Sequence, residues 1–214
     1  IAGTTAVCQN AAQPAITFTG TGGTLPYTFT YSLNNGANVT VSSPAGDSIA
    51  TVAVSPTTPG SYTYTLISVE DASSTNCIQL QTGSATVTVN PLPTATITGT
   101  VSVCENAASP VLTFTGDNAT APYTFTYTLN GGANQTISTT TGNSVAISVP
   151  TTENGIYTYS LVSVQESGAT TCMQPQDGTA IITVNPNPDV SFTVDDSIGC
   201  GPLCVNFIDM SSID

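Results

Sequence analysis

Lysine, arginine, histidine and tryptophan are all absent from the 214 residues. Against that stand 13 carboxylates and a net charge of −13, yet only 6% of the residues are charged, where about a quarter is usual. With no cation to neutralise phosphate, nucleic-acid binding is excluded. Attachment to an anionic lipid surface is disfavoured for the same reason, and direct membrane insertion is not expected of this segment. A Ser, Thr or Cys nucleophile would have no ordinary activating base, so no catalytic residue is assigned and the chain is read as non-enzymatic. Solubility rests on hydroxyls and amides instead, with threonine close to a fifth of the chain. Trypsin-like proteases find no cleavage site, which suits a life outside the cell.

What is there is one domain written twice. Val103-Cys104-Glu105-Asn106-Ala107-Ala108 repeats Val7-Cys8-Gln9-Asn10-Ala11-Ala12, and Pro122-Tyr123-Thr124-Phe125-Thr126-Tyr127 repeats Pro26-Tyr27-Thr28-Phe29-Thr30-Tyr31. Tyr157-Thr158-Tyr159 repeats Tyr62-Thr63-Tyr64, and Val184-Asn185-Pro186 repeats Val89-Asn90-Pro91. The offset is 96 up to about residue 50 and 95 afterwards, placing a one-residue length change in a loop near Ser55. Units this long each bury a core of their own, and arrays of them act as spacers or present a surface. The expected boundaries are 1–90 for the first repeat, 91–185 for the second, and 186–214 for the start of a third domain. Ile1 aligns with Ile97 inside a strand-like run, so the first strand is read as truncated and both ends as cuts through a longer polypeptide.

Apolar residues alternate with Thr or Ser. Tyr27, Phe29, Tyr31 and Leu33 fall on one face of a strand, with Thr28, Thr30 and Ser32 on the other, and Tyr123 to Leu129 repeat the pattern. Such period-two runs of aromatic and β-branched residues predict half-buried strands. Turn signals at Asn34-Asn35-Gly36, Asn130-Gly131-Gly132 and Gly116-Asp117-Asn118 separate them. About seven or eight strands in some 95 residues predict an all-β immunoglobulin-like sandwich for each repeat. Gly60-Ser61-Tyr62 and Gly155-Ile156-Tyr157 resemble the tyrosine corner of such sandwiches, which gives Tyr62 and Tyr157 that structural role. Tyr64 and Tyr159 stand where antibody domains carry their second cysteine.

Six cysteines occur: Cys8, Cys77, Cys104, Cys172, Cys200 and Cys204. The first four fall at matching places in the two repeats, which predicts bridges Cys8–Cys77 and Cys104–Cys172, each closing a loop worth about 4 kcal/mol in the chain-entropy model. Cys200 and Cys204 are expected to pair with each other. Without His or a Cys-x-x-Cys pair, zinc is not supported, and disulfides place the chain in an oxidising, extracellular setting. The linkers Val89-Asn90-Pro91-Leu92-Pro93 and Val184-Asn185-Pro186-Asn187-Pro188 are short and favour polyproline II, predicting a semi-rigid rod that advances roughly 35–45 Å per repeat.

The Val-Asn-Pro-x-Pro linker, the Val-Cys-x-Asn-Ala-Ala opening and the Pro-Tyr-Thr-Phe-Thr-Tyr strand resemble the tandem repeats of SprB-type gliding-motility adhesins. These are giant surface proteins secreted by the type IX system of Bacteroidetes. Val190-Ser191-Phe192-Thr193, followed by Gly199-Cys200-Gly201-Pro202-Leu203-Cys204-Val205-Asn206-Phe207, resembles the start of a PKD-type sandwich. The resemblance implies a non-catalytic stalk or filament of a bacterial cell surface, used in gliding or attachment. Its partners would be external surfaces or polysaccharides and neighbouring repeats. The alternative is a carbohydrate-binding or spacer array of a secreted multidomain enzyme. That reading calls for an exposed aromatic row, whereas tryptophan is missing and the Tyr and Phe residues lie on core-like faces. Paired carboxylates could act alone in glycoside hydrolysis, but Glu70-Asp71 becomes Gln165-Glu166 in the second copy.

No cofactor is expected. Calcium, which takes six to eight oxygen ligands, has candidate ligands only at the junction of repeat 2 with the third domain: Asp189, Asp195 and Asp196. Asp47-Ser48-Ile49 and Asp196-Ser197-Ile198 match the acceptor pattern for Bacteroidetes O-glycosylation, a carry-over from the resemblance that nominates Ser48 and Ser197. The Asn-x-Thr sequons at Asn38, Asn118 and Asn134 matter only in a host with the appropriate transferase.

Overall fold

A computed structural model describes residues 1–195, 198–202 and 204–211. Among them the secondary structure is entirely strand and turn. The first repeat contains β1 (Thr5–Cys8), β2 (Ala15–Thr19), β3 (Tyr27–Leu33), β4 (Asn38–Ser42), β5 (Ile49–Ala53), β6 (Gly60–Asp71), β7 (Ile78–Leu80) and β8 (Ser84–Asn90). One sheet runs β1-β8-β6-β3-β4 with β7 paired to β6, and the other pairs β2 with β5. An isolated bridge from Ala2 to Thr17 extends the smaller sheet. β1 joins β8 in parallel, Cys8 opposite Asn90, while β8, β6, β3 and β4 are antiparallel.

The period-two pattern explains the core. Ile16 and Phe18 of β2, Tyr27, Phe29 and Tyr31 of β3, Tyr64 and Leu66 of β6, and Val87 and Val89 of β8 point inward together with Ala50 and Val54. The ring of Phe18 stacks on Phe29 at 5.5 Å and meets Tyr31 at 5.2 Å. Between β3 and β4, Asn34 and Asn35 both take positive φ (50° and 57°), and the Gly36 N–H donates to the Leu33 carbonyl at 2.9 Å. That is a type I′ turn, whose twist matches the strands it joins. The Asn34 carboxamide also accepts the Thr63 N–H at 2.8 Å, tying the turn to β6.

The second repeat follows the same plan with β9 (Thr94–Thr98), β10 (Val101–Cys104), β11 (Val111–Asp117), β12 (Tyr123–Leu129), β13 (Gln135–Ser138), β14 (Ser144–Ser148), β15 (Gly155–Glu166), β16 (Met173–Pro175) and β17 (Thr179–Asn185). Its sheets run β10-β17-β15-β12-β13, with β16 on β15, and β14-β11-β9. β10 is parallel to β17, Cys104 opposite Asn185. Phe114 stacks on Phe125 at 5.6 Å, as Phe18 does on Phe29. Gly116 lies under the Tyr123 ring, where an added Cβ would come within 2.6 Å of it. The one-residue length change expected near Ser55 lies earlier, in the loop between β4 and β5. Ser43 and Thr139 make the same backbone bond at an offset of 96, whereas β5 and β14 are already offset by 95 and the segments 54–59 and 149–154 that follow them are equally long. Beyond residue 185, β18 (Phe192–Val194) and β19 (Phe207–Asp209) form an antiparallel hairpin with Phe192 against Phe207 at 5.4 Å.

By packing, the chain divides into two compact units. The first comprises Ile1–Thr94 with the loops Asp117–Ala121 and Gln165–Gln174. The second comprises Ala95–Gly116, Pro122–Val164 and Pro175–Asp214.

The cysteine pairing departs from expectation. Cys8 is bonded to Cys172, with a Cα–Cα distance of 5.6 Å, and Cys77, Cys104, Cys200 and Cys204 are free and exposed. Bridges Cys8–Cys77 and Cys104–Cys172 are ruled out by the length of one strand. Gly60, at the start of β6, pairs with Val89 beside the Cys8 end of the sheet. The N–H of Asp71, at the finish of β6, donates to the Cys77 carbonyl at 3.1 Å. The two thiols therefore lie at opposite ends of a 12-residue strand, about 36 Å at 3.3 Å per residue. In the second repeat Gly155 pairs with Val184 near Cys104, and the Glu166 N–H donates to the Cys172 carbonyl at the far end of β15. Cys200 and Cys204 are not bonded to each other either, since three intervening residues bring two Cα atoms into disulfide range only in a tight ring.

Candidate functional site

The disulfide sits in the first unit, where the loop Gln165–Gln174 meets the ends of β1 and β8. Glu166 organises that loop. Although only 4% exposed, its carboxylate faces donors rather than a counter-ion. It accepts the Gly168 N–H at 2.5 Å, the Cys172 N–H at 3.1 Å and the Thr170 hydroxyl at 3.3 Å. Charge-assisted bonds of this kind hold a buried carboxylate in place of an ion pair. The loop so formed presents Cys172, 1% exposed, to Cys8, and presents the Thr170 hydroxyl to the Asn90 side-chain amide at 2.8 Å. The Asn118 amide, on the loop Asp117–Ala121, donates to the Leu92 carbonyl at 3.0 Å. Asn90, Pro91, Thr120, Glu166 and Gly168 line a cleft of about 310 Å³ beside these contacts.

The first repeat carries the same loop without a partner. Asp71 stands for Glu166 and accepts the Thr24 N–H at 3.0 Å, the Ser73 hydroxyl at 2.7 Å and the Cys77 N–H at 2.9 Å. The Thr24 N–H first, then the Ser73 hydroxyl and the Cys77 and Ser73 N–H groups, lower the pKa of this carboxyl to about 2, with desolvation acting the other way. Thr75 Oγ1 lies 3.3 Å from Cys77 Sγ, as Thr170 Oγ1 lies 3.2 Å from Cys172 Sγ. Here the cleft is about 360 Å³ and is lined by Gly22, Gly23, Tyr27, Asp71, Cys77 and Ile78, among others.

Tyr62 Oη donates to the Thr58 carbonyl at 2.9 Å, and Tyr157 Oη to the Glu153 carbonyl at 3.0 Å, the geometry of a tyrosine corner. Tyr64 and Tyr159 have raised pKa values, first because burial disfavours the phenolate and then because Tyr31 and Tyr62, or Tyr127 and Tyr157, lie near. Asp189 is exposed, and Asp195 accepts the backbone and side-chain N–H groups of Asn206 at 2.9 and 2.6 Å. Asp196 and Ser197 lie outside the described residues. Among the described residues no group of three or more carboxylates or thiols could hold a metal ion. Ser48 is half-buried at the entry to β5, next to Asp47, whose Oδ1 accepts the Ile49 N–H at 3.0 Å. Asn38, Asn118 and Asn134 are exposed.

Sequence reasoning passed over the roles of Asp71, Glu166, Thr170 and Asn90. The signal was available: a carboxylate six residues before each of Cys77 and Cys172, and an asparagine before each linker proline.

No protein-family model matches the chain, and no curated protein matches it. Among solved structures it is similar to a marsupial T cell receptor, with a TM-score of 0.56 at 11% identity, covering 92% of this chain and 76% of that one. The fold is immunoglobulin-like. A Ca²⁺-stabilised adhesin with which an Antarctic bacterium binds ice aligns with a TM-score of 0.45 and 18% identity over 89% of this chain. Invasin, a bacterial integrin-binding protein, aligns with a TM-score of 0.37 and 17% identity over 92% of this chain. The chain spans 49% of the Antarctic adhesin's length and 41% of invasin's. No helix among the described residues is long and apolar enough to cross a membrane.

Proposed function

We propose that this chain is a non-catalytic segment of a giant extracellular repeat protein, serving as stalk or filament and adhesive surface of a bacterial cell. The observation that carries the reading is the Cys8–Cys172 bond, which ties a residue of the first sequence repeat to one of the second. A covalent tie between successive repeats serves a load-bearing array outside the cell and does nothing for a substrate site. The absence of Lys, Arg and His, which leaves nucleophiles without a base, agrees with it. External surfaces or polysaccharides are the proposed partners, with gliding and type IX secretion as the setting and the segment after residue 185 as the start of a PKD-like domain.

Antibodies raised against residues 1–185 test this on the source cells. Surface labelling of intact cells, with loss of attachment or gliding on in-frame deletion of the repeats, is the expected result. Labelling only after cell lysis would overturn the reading, and so would unchanged attachment and motility together with lost hydrolysis of a secreted polysaccharide substrate.

A further inference from the structure

Cys77 and Cys104 are the two residues that the internal repeat leaves over. Cys104 occupies in the second repeat the place of Cys8 in the first. Each ends a strand parallel to the last strand of its sheet, opposite Asn185 or Asn90. The Glu105 N–H donates to the Asn185 carbonyl at 2.8 Å, as the Gln9 N–H does to Asn90. Cys77 in turn occupies the place of Cys172, fixed through its N–H by Asp71 as Cys172 is by Glu166. The two residues that form the existing bond are buried or half-buried, and the two left over are exposed.

We propose that Cys77 and Cys104 are complementary half-sites of a second bond of the same kind, made between two copies of this chain. The Cys104 end of one copy docks on the Cys77 loop of the next, and the thiols join as Cys8 and Cys172 do. Three features carry it. Thr75 offers the hydroxyl that Thr170 offers, and Asn185 stands at the position of Asn90. The Asn185 amide donates to Ser102 Oγ at 2.7 Å and to the Val103 carbonyl at 3.2 Å, one of which a bond like that from Asn90 to Thr170 would replace. The cleft of about 360 Å³ beside Cys77 is open. Ile78, 66% exposed at its edge, leaves apolar surface uncovered. One contact is not reproduced, because Gly22 stands where Asn118 reaches the Leu92 carbonyl.

The covalent step needs a disulfide oxidant such as oxidised glutathione. One thiolate attacks its S–S bond, forming a mixed disulfide and releasing one glutathione. The second thiolate displaces the other, so two protein thiols become one disulfide and one glutathione disulfide becomes two thiols. Because the two half-sites differ, the contact is head-to-tail and propagates instead of closing on a two-fold axis. The inference stands on the repeat geometry and does not depend on the adhesive reading.

The experiment uses the full chain with Cys200→Ser and Cys204→Ser throughout and the Cys8–Cys172 bond verified by peptide mapping. Oxidation with glutathione disulfide is expected to give a covalent ladder on non-reducing gels, with chymotryptic peptides linking Cys77 to Cys104. Adding Cys77→Ser to one sample and Cys104→Ser to another leaves each with one half-site. The mixture is expected to form one dimer, at least about tenfold more than either variant alone, because docking raises the effective thiol concentration. Equal dimer from the single variants would mean random thiol collision and would overturn the proposal. Absence of any dimer, or a Cys77–Cys104 link within one chain, would overturn it as well.

Discussion

Asp71 and Cys77 are locked together by the bond from the Cys77 N–H to Asp71 Oδ1, 2.9 Å long, and Glu166 grips Cys172 in the same way six residues on. The acid and the cysteine form one loop device, used twice.

Stability should therefore fall in acid through Asp71. Its folded pKa, about 2, lies below the ordinary 3.8, so its contribution is complete above the unfolded value and disappears as the pH drops from about 4 to about 2. Urea denaturation across that window should show a steeper loss for the parent chain than for Asp71→Asn.

At the other end of the pH scale the sign reverses. Tyr64 and Tyr159 have raised pKa values, so the stability tied to their neutral phenols is present below the unfolded value and is lost as the pH climbs through the folded one. Absorbance at a phenolate wavelength should show Tyr64 and Tyr159 titrating above the ordinary range in the folded chain and returning to it in denaturant.

Removing the hydroxyl of Tyr62 or Tyr157 orphans a carbonyl at the turn before β6 or β15. Tyr62→Phe and Tyr157→Phe should each cost about 0.5–1.5 kcal/mol. Thermal unfolding of both variants beside the parent checks this.

The core makes a harsher prediction. Phe18 and Phe114 are fully buried and each contacts two aromatic rings. Phe18→Ala and Phe114→Ala should each destabilise by about 3–5 kcal/mol, measured by denaturant midpoint. Ile156→Ala, on a side chain 64% exposed, should stay within about 0.5 kcal/mol.

Cys172→Ser should lower stability by up to about 5 kcal/mol, the chain-entropy value for so long a loop, whereas Cys104→Ser should be neutral. Denaturation with and without reductant separates the two.

The strands were legible because their alternation is a property of consecutive residues: Tyr27, Phe29 and Tyr31 announce their own face. The tyrosine corner was legible for the same reason, since Tyr62 and Thr58 are four apart. The cysteine pairing was not. Matching positions in two repeats establish that Cys77 and Cys172 are equivalent, but not which end of a sheet each one occupies. That is decided by the length of β6, whose run from Gly60 to Asp71 carries the chain away from Cys8. The acid loops were obscured differently, because Asp71 and Glu166 are different residue types doing one job.

The disulfide also decides where tension would travel. A pull applied at Ile1 and Asp214 passes along β1 to Cys8, crosses the sulfur atoms to Cys172 and leaves by β16 and β17. The interval it bypasses, a sequence separation of 164 holding most of both repeats, is shielded from the load. Stretched out, that interval would measure on the order of 550 Å, a reserve of length kept out of reach while the bond is intact. Single-molecule pulling should release it only after reduction. A tether built this way would hold its length under stress and extend suddenly only when its thiols are freed.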